Sequence, residues 1–157
     1  MPSAAPALAP MPLFERLEDD EPFTPDEAPV QRTLTPQALR DSVRGELTRL
    51  LNTRRGAARA GRPLNVLDYG LPDWSANDAA RAGDRSNLER NVLEAITAFE
   101  PRLQQPRAQV EPDPEAPWRL RLRIAGTLRT PDGAWPVAWV AQLIDGQPVG
   151  IVDERIA

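Results

Sequence analysis

Residues 118 to 124 read Trp-Arg-Leu-Arg-Leu-Arg-Ile, and this strict alternation constrains the fold more than any other stretch of the chain. Successive side chains of a strand point to opposite faces, so Trp118, Leu120, Leu122 and Ile124 share one side and Arg119, Arg121 and Arg123 the other. The pattern predicts a sheet with one core face and one arginine face. Thr130-Pro131-Asp132-Gly133 then supplies a turn into a second strand over 134–143, with Trp135, Val137, Trp139 and Ala141 on one side. Asp145-Gly146 turns into a short last strand over 149–152, so the final third of the chain reads as an antiparallel meander.

Upstream the period changes from two to 3.6. Thr35 and Pro36 have the chemistry of an N-cap and first helical residue, and Leu39, Val43, Leu47, Leu50 and Leu51 form one apolar stripe of a helix ending near Asn52 or Arg54. The stretch 54–63 (RRGAARAGRP) reads as a loop with a solvated arginine cluster, and 64–74 (LNVLDYGLPDW) as a turn apolar enough to pack on the core. A second helix is expected from Ser86, whose spacing to Glu89 is that of a capping box, with Leu88, Val92, Ile96 and Phe99 inward and Pro101 as its stop. A short strand follows over 107–110, and the acidic, proline-rich stretch 111–117 reads as a linker. Helices first and hairpins last give an α+β domain over 31–157, two main helices packed on one face of a small antiparallel sheet. Residues 1–30 read as a flexible proline- and acid-rich tail in which Leu13, Phe14 and Leu17 form an apolar patch suited to docking on the chain's own domain or on a partner.

Composition narrows the chemistry. The 157 residues contain no cysteine and no histidine, and all 19 cations are arginine because the chain has no lysine. Thiolate nucleophiles, disulfides, the usual zinc sites, imidazole acid–base catalysis and lysine Schiff bases are excluded, and no cofactor or metal is expected. The net charge of −4 is uneven: −6 over residues 1–30, +4 over 31–110 and −2 over 111–157. That balance argues against nucleic acid as the partner, no apolar run is long enough to insert in a membrane, and the N-terminus lacks the pattern of a secretory signal, which places the protein in the cytoplasm.

Glu100 stands out among the charged residues. It occupies the last helical turn before Pro101, where an acid faces the negative end of the helix dipole at a cost of roughly 0.3 to 1 kcal/mol. Arg102 can turn back to offset this, either as a local pair that fixes the helix stop or as part of a docking point with Glu100 and Pro101 for a charged group on another subunit. A second candidate binding feature is the last strand, where Val149 and Ile151 lie on a sheet edge open to strand addition.

Four stretches, LFERL at 13–17, SVRGELTRLLNTRR at 42–55, VLDYGLPDW at 66–74 and FEPRL at 99–103, resemble in order and spacing the TssE family. This is the small baseplate subunit of type VI secretion systems, itself similar to the phage baseplate wedge protein. The resemblance implies a non-enzymatic role at the cytoplasmic face of the inner membrane. It implies assembly with TssF, TssG and TssK and contact with the first ring of the TssB/TssC sheath. It also makes Glu100-Pro101-Arg102 the family's signature triplet, implicated in baseplate and sheath assembly. Two other classes remain open at the level of sequence. One is a carboxylate-based, lysozyme-like peptidoglycan glycosidase, which needs only two acids. The other is a soluble adaptor with a single partner.

Overall fold

The computed structural model describes residues 9–10, 33–56 and 61–154. Strand β1 (Ala9–Pro10) pairs antiparallel with β2 (Thr33–Leu34), which leads into helix α1 (Pro36–Asn52). A single 3-10 turn over Val66–Asp68 precedes helix α2 (Ala82–Phe99). Strands β3 (Leu103–Pro112), β4 (Leu120–Thr130), β5 (Gly133–Leu143) and β6 (Ile151–Asp153) form a four-stranded antiparallel sheet in sequential order. The α+β architecture expected from the sequence is the one observed. The docking patch at Leu13, Phe14 and Leu17 and most of the 1–30 tail lie outside the described residues.

Helix α1 starts where its cap residues put it. Thr35 is extended (ψ 159°) and its hydroxyl accepts the Ala38 N–H at 3.2 Å, while Pro36 occupies the first turn, where no intrahelical N–H is needed. All five expected stripe residues, Leu39 to Leu51, are buried. They meet Leu88, Val92, Ala95 and Ile96 of α2 and the inner sheet face: Leu120, Leu122, Ile124 and Leu128 of β4, and Val137, Trp139, Ala141 and Leu143 of β5. At about 1.5–3 kcal/mol per large apolar side chain removed from water, this single core is the main source of stability.

Several boundaries differ from the sequence expectation, each for a local reason. Helix α2 begins at Ala82 rather than Ser86, because the Asp84 carboxylate accepts the Asp78 N–H at 3.0 Å and the Arg85 guanidinium donates to the Ala79 carbonyl, which locks an additional turn. Strand β3 runs from Leu103 to Pro112 instead of 107–110, and Glu111 and Pro112 belong to it rather than to a linker. The residues after it form a tight connection: the buried Asp113 donates its N–H to the Arg119 carbonyl at 2.9 Å and accepts the Glu115 N–H and the Gln142 side-chain amide on its carboxylate. That connection delays β4 until Leu120 and leaves Trp118 exposed at 75%, outside the core face assigned to it. Val149 precedes β6 instead of opening it.

The loop after α1 is also ordered differently. Leu71 and Trp74 are buried as expected, but Val66 and Leu67 are 81% and 87% exposed. Asn65 and Asp68 cap the 3-10 turn reciprocally, and Arg62 pairs with Asp68 at 3.0 Å. Arg55 is not part of a solvated cluster. Its side chain is 3% exposed, and it donates to the Asp68 carbonyl at 3.2 Å. Gly70 lets Leu71 exchange backbone hydrogen bonds with Thr53 and Arg55. Its φ is +108°, and a Cβ there would sit 2.4 Å from the Thr53 carbonyl oxygen. Gly70→Ala is expected to destabilise the protein by about 2 kcal/mol or more, read as a lower midpoint with unchanged slope in urea unfolding.

Candidate functional site

The triplet Glu100-Pro101-Arg102 turns the chain from α2 into β3. Proline disfavours helical backbone at the residue before it, and Glu100 leaves the helix at φ −126°, ψ 70°. Its N–H still donates to the Ile96 carbonyl at 2.9 Å, and its own carbonyl accepts the Leu103 N–H at 3.2 Å. Pro101 thus takes the second position of a β-turn, where its fixed φ is favourable, and Arg102 takes the third.

That turn brings the Arg102 side chain back onto Glu100. The guanidinium grips the carboxylate with both prongs, Nε donating to Oε1 at 2.8 Å and Nη2 to Oε2 at 2.7 Å, and the Arg102 backbone N–H adds a third donor at 3.2 Å. Glu100 is 1% exposed, whereas the Arg102 side chain is 26% exposed. The third guanidinium nitrogen donates to the Ser42 hydroxyl on α1 at 2.8 Å. One arginine therefore ties together both helices and the first strand of the sheet, and the carboxylate is satisfied within the chain.

A second layer surrounds this pair. The Tyr69 hydroxyl donates to Glu46 of α1 at 2.6 Å, Arg49 donates to the same carboxylate through two nitrogens, and the Tyr69 ring meets Phe99 edge-on at 5.2 Å. Partial burial alone would raise the Glu46 pKa, but the hydrogen bonds from Tyr69 and Arg49 and the charges of Arg49 and Arg102 bring it below the usual glutamate value. The same burial, followed by the Glu46 carboxylate, drives the Tyr69 phenol well above the ordinary tyrosine value, so it stays protonated as the donor. Ser42, Glu46 and Tyr69 were not singled out from the sequence. Their signal is present in retrospect: Ser42, Glu46 and Arg49 follow one another at helical spacing along a single stripe of α1, beside its apolar face.

The two sheet edges are unequal. The two-residue hairpin at Pro131-Asp132 makes Thr130 and Gly133 a hydrogen-bonded pair, so the register of the whole sheet follows by alternation. On β3 the residues whose backbone faces away from β4 are Pro106, Ala108, Val110 and Pro112. The two prolines have no N–H, and Val110 donates its own to the Glu89 carboxylate on α2 at 2.8 Å. That edge is closed to an incoming strand. On the opposite side, Val140 pairs with Val152 and the Ala138 carbonyl accepts the Glu154 N–H at 3.0 Å, which leaves the backbone groups of Ile151 and Asp153 facing outward. Val149 does not share that edge. It is 3% exposed, and the Asn52 side chain holds both its N–H (2.7 Å) and its carbonyl (2.9 Å).

The arrangement offers a buried ion pair and a strand edge, and among the described residues no cluster of three or more acids, histidines or cysteines is placed to hold a metal. A family model for the baseplate wedge protein gp25 matches residues 37–132, from the first turn of α1 to the β4–β5 hairpin. No curated protein matches the chain. Among solved structures, a chain of the baseplate complex from the type VI secretion system superposes on this one with a TM-score of 0.55 at 19% identity, over 68% of this chain and 93% of that one. At that identity the likeness establishes a shared fold.

Two outcomes follow for the pair and its surroundings. Arg102→Ala leaves a fully buried carboxylate without its counterion and is expected to cost about 3–5 kcal/mol, a fall in Tm of roughly 10 °C or more by calorimetry, with Arg102→Lys intermediate. Because the Glu46 pKa is depressed in the folded state, its contribution is present above the usual glutamate value of about 4.3 and is lost as pH falls through the lower folded value. Tyr69→Phe should therefore flatten the acid limb of stability below the usual glutamate value of about 4.3 without changing its slope near neutrality.

Proposed function

Because the chain belongs to the gp25 family of baseplate wedge proteins, we propose that it is a non-enzymatic structural subunit of a type VI secretion baseplate wedge, joining that wedge to the first ring of the contractile sheath. Membership gives it a structural place in a baseplate. The finer assignments are TssF, TssG and TssK as wedge neighbours, TssB/TssC as the sheath contact, and a station at the cytoplasmic face of the inner membrane. No described helix is long and apolar enough to cross a membrane.

The unequal edges of the sheet carry this reading. One edge is blunted by two prolines and a glutamate cap, while the other ends in a three-residue strand with outward backbone groups at Ile151 and Asp153. A strand contributed by a sheath subunit would continue the ladder there, with affinity from main-chain hydrogen bonds. The Glu100–Arg102 grip supports the same function from inside. It sets the angle between α2 and β3, and the outer quarter of Arg102 remains presented to a neighbour beside Pro101. Val149 supports the edge by anchoring the strand to α1 through Asn52.

A glycosidase reading finds little to work with. A general acid must release its proton to a sugar oxygen, and Glu100 is buried with both oxygens held by a guanidinium. Clearance of purified cell wall by the protein, abolished in Glu100→Gln, would replace the structural reading with that one. An adaptor with one partner would fail to bring down sheath and wedge subunits together from native cells.

Ile151→Pro provides the test of the edge. The lost N–H faces away from β5, so the ladder is kept; because Ile151 also packs on the core, the isolated protein is expected to stay folded with a Tm lowered about as much as in Ile151→Ala, while fluorescent sheath assembly in cells is lost in the proline variant alone. Normal sheath assembly in that variant would rule out strand addition at β6.

A further inference from the structure

The sheet face turned away from the helices is not part of the site described above. Arg107 of β3 and Arg121, Arg123 and Arg129 of β4 project from it, and Arg119 is exposed in the connection just before β4, against Glu111 and Glu154, a local excess of three positive charges in a chain whose net charge is −4. Arg121 lies 3.8 Å from Glu111 and 3.7 Å from Glu154, and Arg123 also pairs with Glu154. Arg107, Arg119 and Arg129 are exposed and form no ion pair among the described residues. On α1 the opposite holds, since Arg40 and Arg44 pair with Asp153 and Arg49 with Glu46. Between the arginines the face is low, with the small side chains of Ala125, Thr127 and Ala138 at its centre.

From this we infer that the outer sheet face is a docking surface for an acidic, extended peptide segment of a partner protein. Arg121 and Arg123 stand two positions apart on β4, about 6.6–7 Å, which is also the repeat of alternate side chains in an extended peptide. Every cation on the face is a guanidinium, able to hold a carboxylate through two parallel hydrogen bonds. Discrete carboxylates fit the pattern better than a continuous polyanion, because Glu111 and Glu154 stand within the face and would repel uninterrupted phosphate charge. The inference depends on the sheet alone and is independent of the baseplate reading.

The test uses the full chain and a fluorescein-labelled dodecapeptide of alternating glutamate and threonine, followed by anisotropy at low salt. Binding is expected, weakened at least tenfold by the triple substitution Arg107→Gln, Arg119→Gln, Arg129→Gln and similarly by raising NaCl from about 50 to 200 mM. The triple variant should melt within about 2 °C of the parent, since it removes exposed side chains that form no ion pair. Absence of peptide binding, or binding indifferent to the three substitutions, overturns the proposal. Tighter binding to a twelve-nucleotide oligothymidine or to phosphatidylserine vesicles than to the peptide would overturn it in favour of nucleic acid or membrane. Binding seen only after the seven acids of residues 15–27 are changed to amides would assign the face to the chain's own N-terminal segment instead.

Discussion

A carboxylate withdrawn from water inside a turn organises this molecule. Glu100 ends α2, and every polar contact described for its side chain comes from Arg102, two residues later. Burying such a pair is a weak source of net stability, because the attraction mainly repays the desolvation of both charges. Its effect is geometric. The pair is satisfied only when the chain turns sharply at Pro101, and the third guanidinium nitrogen reaches Ser42 only when α1 lies across that turn. A helix end that looks unfavourable by its dipole is thereby made the point at which two helices and a sheet acquire fixed relative positions.

What lies downstream of that turn inherits its orientation. Strand β3 leaves it with Pro106 and Pro112 facing outward, so the first edge of the sheet is closed by residues already written into the strand, and Glu89 closes the gap between them. The meander then places β6 at the other edge, short and held to α1 from its far side through Asn52 and through Asp153 with Arg40 and Arg44. The proposed strand addition has one side of the sheet open to it, which suits a subunit with a directional position in an assembly.

Much of this was legible before the fold was known. The α1 stripe, the hairpin at 130–133 and the β4 and β5 faces follow from periodicity and turn chemistry, which act over a few residues and need no tertiary information. The misjudged boundaries share a physical cause. Local spacing places a cap at Ser86, whereas Asp84 and Arg85 extend the helix by bonding across a turn to Asp78 and Ala79. Pro112 falls in the stretch 111–117 that reads as a linker, but a proline is tolerated where its missing N–H faces away from the ladder, as at Pro106 and Pro112, and only the sheet register decides that. Val66 and Leu67 were expected in the core because apolar composition does not reveal that a reciprocally capped turn holds them outside.

The sequence by itself determined the class of the domain, the inward faces of its helices and strands, the absence of imidazole and thiol chemistry, and the place of the Glu-Pro-Arg turn. These depend on residue identity and short spacing. Only the tertiary structure decided that Arg102 binds its own Glu100 and Ser42 rather than leaving the acid for a neighbour, that Tyr69 joins Glu46 beside them, and which sheet edge stays open. Ser42 is sixty residues from Arg102 and Tyr69 is twenty-three from Glu46. Hydrogen bonds between such distant positions exist only once the apolar core has brought their backbones together, so no local pattern can encode them.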